Sequence, residues 1–151
     1  MIRATKNISR QQFRMINFCP SLDQPKNNTH AYISIHSLSD DFGHSSPPKI
    51  NHSLWLDGIQ IAFDDIEFPY KDYKLFDTSQ AETILAFVKK MHTRPEDIEL
   101  VVHCYAGVSR SAAVSKFVND YLGLRIPKYE YLDVYNSLVY RKLVEASLKI
   151  G

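Results

Sequence analysis

The stretch that most constrains the fold runs from Leu100 to Ala113 and reads LVVHCYAGVSRSAA. It begins apolar and β-branched, as a buried strand does, and it turns between Cys104 and Ser109. From Arg110 it continues with alanine-rich residues that favour helix. The segment therefore predicts a strand, a tight loop and a helix in direct succession.

The predicted loop has the features of an anion-binding site. Backbone N–H groups in the first turn of a helix have no partner inside the helix, and the helix dipole adds positive potential there. Gly107 suits a bend in which neighbouring amides converge, and the planar guanidinium of Arg110 matches two oxygens of a phosphoryl group. The same potential favours a thiolate over a thiol at Cys104. We therefore predict phosphate chemistry with Cys104 as the nucleophile.

The residue pair His103-Cys104, followed after five residues by Arg110-Ser111, resembles the signature of the cysteine-dependent protein tyrosine phosphatase superfamily. The run AGVSRSA, from Ala106 to Ala112, is most similar to the small, prokaryotic-type dual-specificity branch. Arsenate reductases and rhodaneses share the cysteine-to-arginine spacing but not the whole of HCYAGVSRSA. The resemblance implies an α/β fold with a central, mostly parallel sheet flanked by helices.

The resemblance also implies a role for each motif residue. Cys104 attacks phosphorus, and Arg110 binds the equatorial oxygens together with the loop amides. His103 orients the loop and supports the thiolate, with a buried structural histidine as the alternative. Ser111 donates a hydrogen bond to the leaving thiolate, with a local bond in the first helical turn as the alternative. The phosphate-binding loop comprises Tyr105, Ala106, Gly107, Val108, Ser109 and Arg110, and the chemistry requires no metal or cofactor.

Such an enzyme needs a group that protonates the leaving oxygen. The resembled family uses an aspartate on a mobile loop upstream of the cysteine, and the candidates here are Asp64, Asp65 and Asp72. The segment FDDI, which begins at Phe63, is similar to the F-D-D-I or F-H-D-I segment of small prokaryotic phosphatase-like proteins, and its second acidic position is Asp65. The Trp-Pro-Asp of the tyrosine-specific enzymes is missing. We expect Asp65 to be the general acid; Asp64, Asp72 and a merely solvated turn are the alternatives.

The rest of the chain alternates predicted strands and helices, which indicates an α/β sandwich with the site at the carboxyl end of a central strand. Strands are predicted over 14–19, 31–35, 55–63 and 99–103, with a turn over 20–28 and a loop over 37–49. A capping box at Ser79 to Glu82 predicts a helix that ends before Pro95. The next helix should run from Arg110 to Leu122 and stop at Gly123. Two short helices are expected between 127 and 150, broken near Asn136-Ser137, with the tyrosines at 129, 131, 135 and 140 partly buried.

Composition narrows the classes of function. A chain of 151 residues with a net charge of +1 predicts one domain, 1–151, without the basic field that nucleic-acid or membrane binding would use. The two cysteines, Cys19 and Cys104, make a disulfide framework implausible, and a reducing cytoplasm suits a reactive thiolate. Cys19 is interpreted as a small buried hydrophobe and not as a redox partner. No segment approaches about 20 apolar residues, so neither secretion nor a membrane span is expected.

The sequence as a whole predicts a cysteine-dependent phosphatase that acts on phosphorylated proteins. A loop of this kind accepts phosphotyrosine, or phosphoserine and phosphothreonine, according to the depth of the pocket. Phosphoinositides and RNA 5′-phosphates are alternative substrates, although lipid-directed relatives place lysines in the loop, where only Arg110 is basic here. An alternative from another class is a non-catalytic module that binds phosphorylated residues, which a missing proton donor would favour.

Overall fold

A four-stranded sheet forms the centre of the protein in a computed structural model that describes residues 1–19, 24–39, 46–125 and 134–149. Its strands are β1 (Ile2–Ser9), β2 (His30–His36), β3 (Asp57–Ala62) and β4 (Ile98–Cys104). The strand order is β1-β4-β2-β3, and each neighbouring pair is parallel. The predicted α/β architecture with a parallel sheet flanked by helices is confirmed.

Helices cover both faces of this sheet. They are α1 (Arg10–Phe18), α2 (Thr78–His92), α3 (Arg110–Leu122) and α4 (Ser137–Ser147), with a short 3₁₀ turn at His52–Leu54. The larger hydrophobic layer joins α2, α3 and α4 to one face. On the other face a smaller layer, centred on Phe13 of α1 and Trp55, packs against Val101. Because side chains alternate along a strand, the two faces of β4 carry different parts of the site.

Strand β4 lies inside the sheet, between β1 and β2. Its apolar, β-branched run is typical of a parallel strand that is buried on both faces. Since all four strands run the same way, their carboxyl ends meet at one edge, where Ser9, His36, Ala62 and Cys104 are the final residues. The loops that follow these ends therefore converge around Cys104.

Most of the predicted elements are confirmed. Strands β2 and β4 match the predictions over 31–35 and 99–103, and β3 occupies the interior of the predicted 55–63 segment. Helix α2 ends before Pro95, as expected. Helix α3 has the predicted bounds, and Gly123 caps it in the left-handed conformation at φ 67°.

The strand predicted over 14–19 is wrong, because this segment lies in helix α1. Ser9 and Gln12 form a reciprocal capping box that begins the helix, and Phe13 and Asn17, four residues apart, form its buried side. The apolar residues Met15 and Phe18, which suggested a strand, are exposed. The actual strand of this region, β1, comes before the helix and was not predicted.

The capping box predicted at Ser79 to Glu82 is also wrong, although the helix itself is present. The carboxylate of Asp77 accepts a hydrogen bond from the backbone N–H of Gln80 at 2.8 Å, and the Gln80 side chain returns a bond to the Asp77 backbone. Asp77 is therefore the N-cap, and Ser79 lies inside the first turn of α2. The shift of two residues leaves the buried face of the helix unchanged.

The predicted break near Asn136-Ser137 corresponds to the start of α4, where Asn136 is the N-cap. The first of the two helices expected after 127 lies largely within 126–133, which is outside the described residues, as are Tyr129 and Tyr131. Tyr135 and Tyr140 are partly buried against the core, as predicted. The predicted turn and loop extend over 20–23 and 40–45, which also lie outside the described ranges.

Both cysteines are free thiols, Cys19 half-buried at the end of α1 and Cys104 buried at the end of β4. Within the part of the chain that the structure describes, no helix is long and apolar enough to cross a membrane.

Candidate active site

Cys104 lines a cavity of about 380 Å³ and is only 2% exposed. The cavity walls come from the loops that follow β2, β3 and β4. Of the predicted phosphate-binding loop, Tyr105, Ala106, Val108, Ser109 and Arg110 line the cavity. The other lining residues include Ser37, Ser39, Asp64, Asp65 and Tyr73. The structure therefore brings the predicted nucleophile, arginine and aspartate to one cavity.

Gly107 does not line the cavity but faces the end of β1. It adopts a φ of 74°, and a Cβ at this position would lie 2.7 Å from the backbone carbon of Ile8. Asn7 Nδ2 donates a hydrogen bond to the Gly107 carbonyl at 2.7 Å, and the Arg10 N–H donates to the Tyr105 carbonyl at 2.9 Å. The junction of β1 and α1 thus holds the loop from behind, a contact that the sequence did not reveal.

The N-terminus of α3 points its first turn at this loop without a side-chain cap. Ser109 is the N-cap residue, but its hydroxyl accepts no bond from the helix. The hydroxyl donates instead to Asp65 Oδ1 at 2.8 Å. The first-turn N–H groups of α3 are therefore left for an anion in the cavity.

The Arg110 guanidinium is buried and is held along one edge. Its Nη1 donates to Ser37 Oγ at 2.8 Å and to the Phe63 carbonyl at 2.7 Å. Its Nε is buried and has no hydrogen-bond partner among the described residues. Since Nε and one Nη together form the fork that binds two oxygens of an oxyanion, this unsatisfied donor is what a phosphoryl group would satisfy.

Ser111 lies directly beside the nucleophile. Its Oγ is 3.1 Å from Cys104 Sγ, and both side chains are buried. A hydroxyl at this distance can donate to a thiolate, as the motif resemblance implies. The contact joins the last residue of β4 to the first turn of α3, so the thiol is fixed from both sides of the loop.

His103 is buried on the opposite face of β4 and stacks on Phe13 with 4.1 Å between the ring centres. Its Nδ1 lies 3.1 Å from the Cys104 carbonyl and its Nε2 lies 2.6 Å from Ser34 Oγ. A carbonyl can only accept, so Nδ1 carries the proton and Nε2 accepts from the serine hydroxyl. Burial is the largest influence and lowers the pKa of His103 to about 4, even though the bond to the carbonyl raises it. The ring is therefore neutral at pH 7: it can orient the loop but brings no full positive charge to the thiolate.

Asp64 holds together the backbone around the site. Its carboxylate accepts from the N–H groups of Leu38, Ser39 and Lys74 at 3.1, 2.9 and 2.7 Å. Burial opposes the charged form, but these hydrogen bonds outweigh it and lower the pKa of Asp64 below its ordinary value. An aspartate that stays ionised and fully bonded is a poor proton donor, and its contacts are those of a structural anchor.

Asp65 is exposed at the rim of the cavity. Its Oδ1 accepts from Ser109 Oγ at 2.8 Å and from Asn136 Nδ2 at 2.9 Å. Both bonds fall on the same oxygen, and no described residue donates to Oδ2. Asp72 is exposed on the next turn and is not among the residues that line the cavity. Of the three candidate aspartates, Asp65 is the one that both lines the cavity and is exposed.

The start of α4 fixes the loop that carries Asp65. Asn136 donates through Nδ2 to the Ile66 carbonyl at 3.1 Å as well as to Asp65, and its own N–H bonds the Ser109 carbonyl at 3.2 Å. Next to it, the Glu67 carboxylate accepts from both the N–H and the hydroxyl of Ser137 at 2.7 Å. Asn136 was not predicted as part of the site; an asparagine before an apolar run signals only a helix start.

Among the described residues, no group of three His, Cys, Asp or Glu side chains is placed to hold a metal ion. That the chemistry requires no metal or cofactor stays a prediction. No protein-family model matches the chain, and no curated protein matches it. A function is therefore inferred from the motif and from the geometry of the site.

Proposed function

We propose that the protein is a cysteine-dependent phosphatase of the dual-specificity type, which hydrolyses phosphate monoesters in phosphorylated proteins. The observation that carries the proposal is that Cys104, Arg110 and Asp65 line one cavity, while the Nε of Arg110 has no hydrogen-bond partner among the described residues. A nucleophile, an oxyanion fork and a proton donor are the three groups that this reaction requires.

In the first step, the Cys104 thiolate attacks phosphorus in line with the ester oxygen. The new S–P bond forms as the P–O bond breaks, and the proton of Asp65 passes to the departing alkoxide or phenoxide. The fork of Arg110 and the amides of the loop bind the three equatorial oxygens, whose charge is spread in the transition state. The products are a cysteinyl-phosphate and a neutral alcohol or phenol.

In the second step, water attacks the cysteinyl-phosphate, and Asp65, now a carboxylate, takes the water proton. The S–P bond breaks and inorganic phosphate leaves. The electron pair returns to sulfur, where the Ser111 hydroxyl, 3.1 Å away, donates a hydrogen bond to the thiolate. The rate of this step depends on a stable thiolate, which the uncapped first turn of α3 also favours.

We propose that the enzyme is cytoplasmic and that its substrate is phosphotyrosine in proteins, with phosphoserine and phosphothreonine as further substrates. A net charge of +1 and a loop with one basic residue, Arg110, argue against polyanionic lipids and RNA ends. The two free cysteines support a reducing, cytoplasmic setting. A phosphoresidue-binding module without turnover is the second candidate, and it shares the arginine fork but has no use for Asp65.

The test is steady-state hydrolysis of phenyl phosphate and p-nitrophenyl phosphate against pH, with chelator present. Wild type should turn over both substrates, and Cys104→Ser should be inactive. Asp65→Asn should lose about 100- to 10,000-fold with phenyl phosphate, the usual range for a lost general acid. The loss should be much smaller with p-nitrophenyl phosphate, because p-nitrophenolate leaves without a proton. Asp72→Asn, which removes an exposed carboxylate outside the cavity, is the matched control.

Two results would contradict parts of the proposal. A selective loss with phenyl phosphate in Asp72→Asn and not in Asp65→Asn would move the general acid but keep the reaction. No turnover by wild type, together with phosphopeptide binding that Arg110→Ala abolishes, would refute the enzyme and establish the binding module.

A further inference from the structure

A second groove lies beside the cavity over Cys104. It has a volume of about 450 Å³ and is lined by Ser9, Arg10, Gln11 and Arg14 from the start of α1, and by Tyr105 from the phosphate-binding loop. Tyr105 also lines the cavity over Cys104 and is 51% exposed. The two spaces are therefore neighbours that share one aromatic wall.

The charge of this groove is positive and is not neutralised by the described residues. Arg10 and Arg14 are four residues apart on a helix, so their side chains project from the same face. Other arginines of the protein, Arg3, Arg94 and Arg141, each pair with a carboxylate. No carboxylate in the described ranges pairs with Arg10 or Arg14, and none lines the groove.

The positive charge continues toward the catalytic cavity. Arg10 and Tyr105, which line the groove, also line a small crevice together with His36 and Arg110. Burial first, and then the charge of Arg14, lower the pKa of Arg10, as expected when two like charges face each other. A negative group between the two guanidinium groups would relieve this repulsion.

A third pocket, which shares Asp65 and Ser109 with the cavity over Cys104, differs in charge. Its lining includes the carboxylates of Asp65 and Glu67 and the exposed side chains of Phe68 and Val134. A substrate that reaches beyond the catalytic cavity thus meets positive charge toward α1 and negative charge toward the Asp65 loop. This asymmetry would give a bound peptide a preferred direction.

We propose that the groove of Arg10 and Arg14 is a second anion subsite, which binds a carboxylate or a second phosphate on a phosphopeptide whose phosphoresidue occupies the cavity over Cys104. The proposal rests on the proposed function and names the class of substrate. Guanidinium groups suit both anions because they donate paired hydrogen bonds to two oxygens. Two arginines fit a single extra anion, whereas a polyanion usually recruits more basic residues.

The experiment compares kcat/KM for a set of phosphotyrosine peptides. In the reference peptide all residues except the phosphotyrosine are alanine. Each further peptide carries one glutamate or one phosphoserine at a single position, and the set covers successive positions on both sides of the phosphotyrosine. Wild type should prefer one placement by about tenfold at low salt, since each exposed charge pair contributes up to about fivefold. The preference, a ratio within each variant, should fall to about threefold in Arg14→Gln or in Arg10→Gln, and should disappear in the double variant. Arg125→Gln is the matched control, because α3 separates Arg125 from the loop by about 20 Å.

Three outcomes would overturn the proposal. The first is a preference of equal size in wild type and Arg14→Gln. The second is the absence of any preferred placement in wild type. The third is that Arg14→Gln lowers kcat/KM for 5′-phosphorylated oligonucleotides but for none of the peptides, which would assign the groove to nucleic acid.

Failure of the proposed function is distinguishable from failure of the subsite. If wild type hydrolyses no peptide, the same peptides are measured by fluorescence anisotropy. If wild type binds one of the acidic peptides more tightly than the alanine peptide, and Arg14→Gln does not, the subsite is supported in a binding protein. If wild type binds all the peptides with the same Kd, the subsite is overturned as well.

Discussion

Replacing Gly107 with alanine should lower both the activity of the site and the stability of the fold. Two costs arise at this position. An alanine at a φ of 74° is strained, and the left-handed conformation costs a residue with a Cβ about 1–2 kcal/mol. In addition, the new Cβ would lie 2.7 Å from the Ile8 backbone carbon and 2.9 Å from the Ser9 nitrogen, where carbon atoms prefer about 3.5–4.0 Å.

Relief of this overlap requires a movement of about 1 Å, because backbone cannot rotate away as a side chain can. The loop is the part free to move, since β1 is held in the sheet by its pairing with β4. A displacement of about 1 Å at a catalytic centre is enough for a loss of about 100-fold. We therefore expect kcat/KM of Gly107→Ala for phenyl phosphate to fall by about 100-fold, equivalent to about 2.7 kcal/mol of transition-state stabilisation.

Gly123→Ala is the matched control. Gly123 has a similar φ of 67°, but no atom lies within 4 Å of the place that an alanine Cβ would occupy. It should therefore lose only the conformational term, about 1 kcal/mol in urea unfolding, and keep wild-type kcat/KM. Gly107→Ala should lose an additional 1–3 kcal/mol or so from overpacking. Equal stability losses in the two variants, with wild-type activity in both, would refute the reasoning.

Three further predictions concern side chains that support the site. Ser34→Ala should lower the free energy of unfolding in a urea titration by about 1–3 kcal/mol, because it leaves the buried Nε2 of His103 without its donor. Ser115→Ala is the control: it removes a buried hydroxyl without a partner among the described residues and should be nearly neutral in the same titration. Asp64→Asn should be destabilised near neutral pH, because the pKa of the Asp64 carboxyl is lowered in the folded protein. The charged carboxylate stabilises the fold fully above the unfolded-state pKa of about 3.9, and this stabilisation is lost as the pH falls through the folded-state pKa. The urea unfolding curves of wild type and variant should therefore converge in acid. Asn136→Ala should lower kcat about tenfold for phenyl phosphate and less for p-nitrophenyl phosphate, because Asn136 positions Asp65 and only the phenolate leaving group needs its proton. Equal losses with both substrates would argue against this positioning role.

The central motif was predictable because its signals are local. The apolar run of β4, the glycine in the loop and the alanines of α3 each favour their own structure within a few residues. Strand β1 was missed for an equally physical reason. A register shift between Ile2 and Ala4 lies before Thr5, and Ile2 and Ile8 pack in the layers on opposite faces of the sheet. The buried residues Ile2, Thr5 and Ile8 therefore recur at every third position, which is the pattern of neither a half-buried strand nor a helix.

The supporting contacts of the site could not be read from the sequence. Ser34 meets His103 across 69 residues, and Asn136 meets Asp65 across 71 residues. Such pairs depend on strand order and on where a distant helix begins, which no local pattern encodes. The motif therefore predicted residues that line the cavity, while the fold determined which residues hold them in place.

The attachment of Arg110 has a consequence for the entropy of binding. Because Nη1 is bonded to Ser37 and to the Phe63 carbonyl, the guanidinium plane is already fixed before any anion arrives. An arginine side chain carries about 2 kcal/mol of rotamer entropy, and here that freedom is lost when the chain folds and not when the substrate binds. On the proposed function, a phosphoryl group would meet a preorganised receptor, and its interaction energy would not be reduced by the ordering of a flexible side chain.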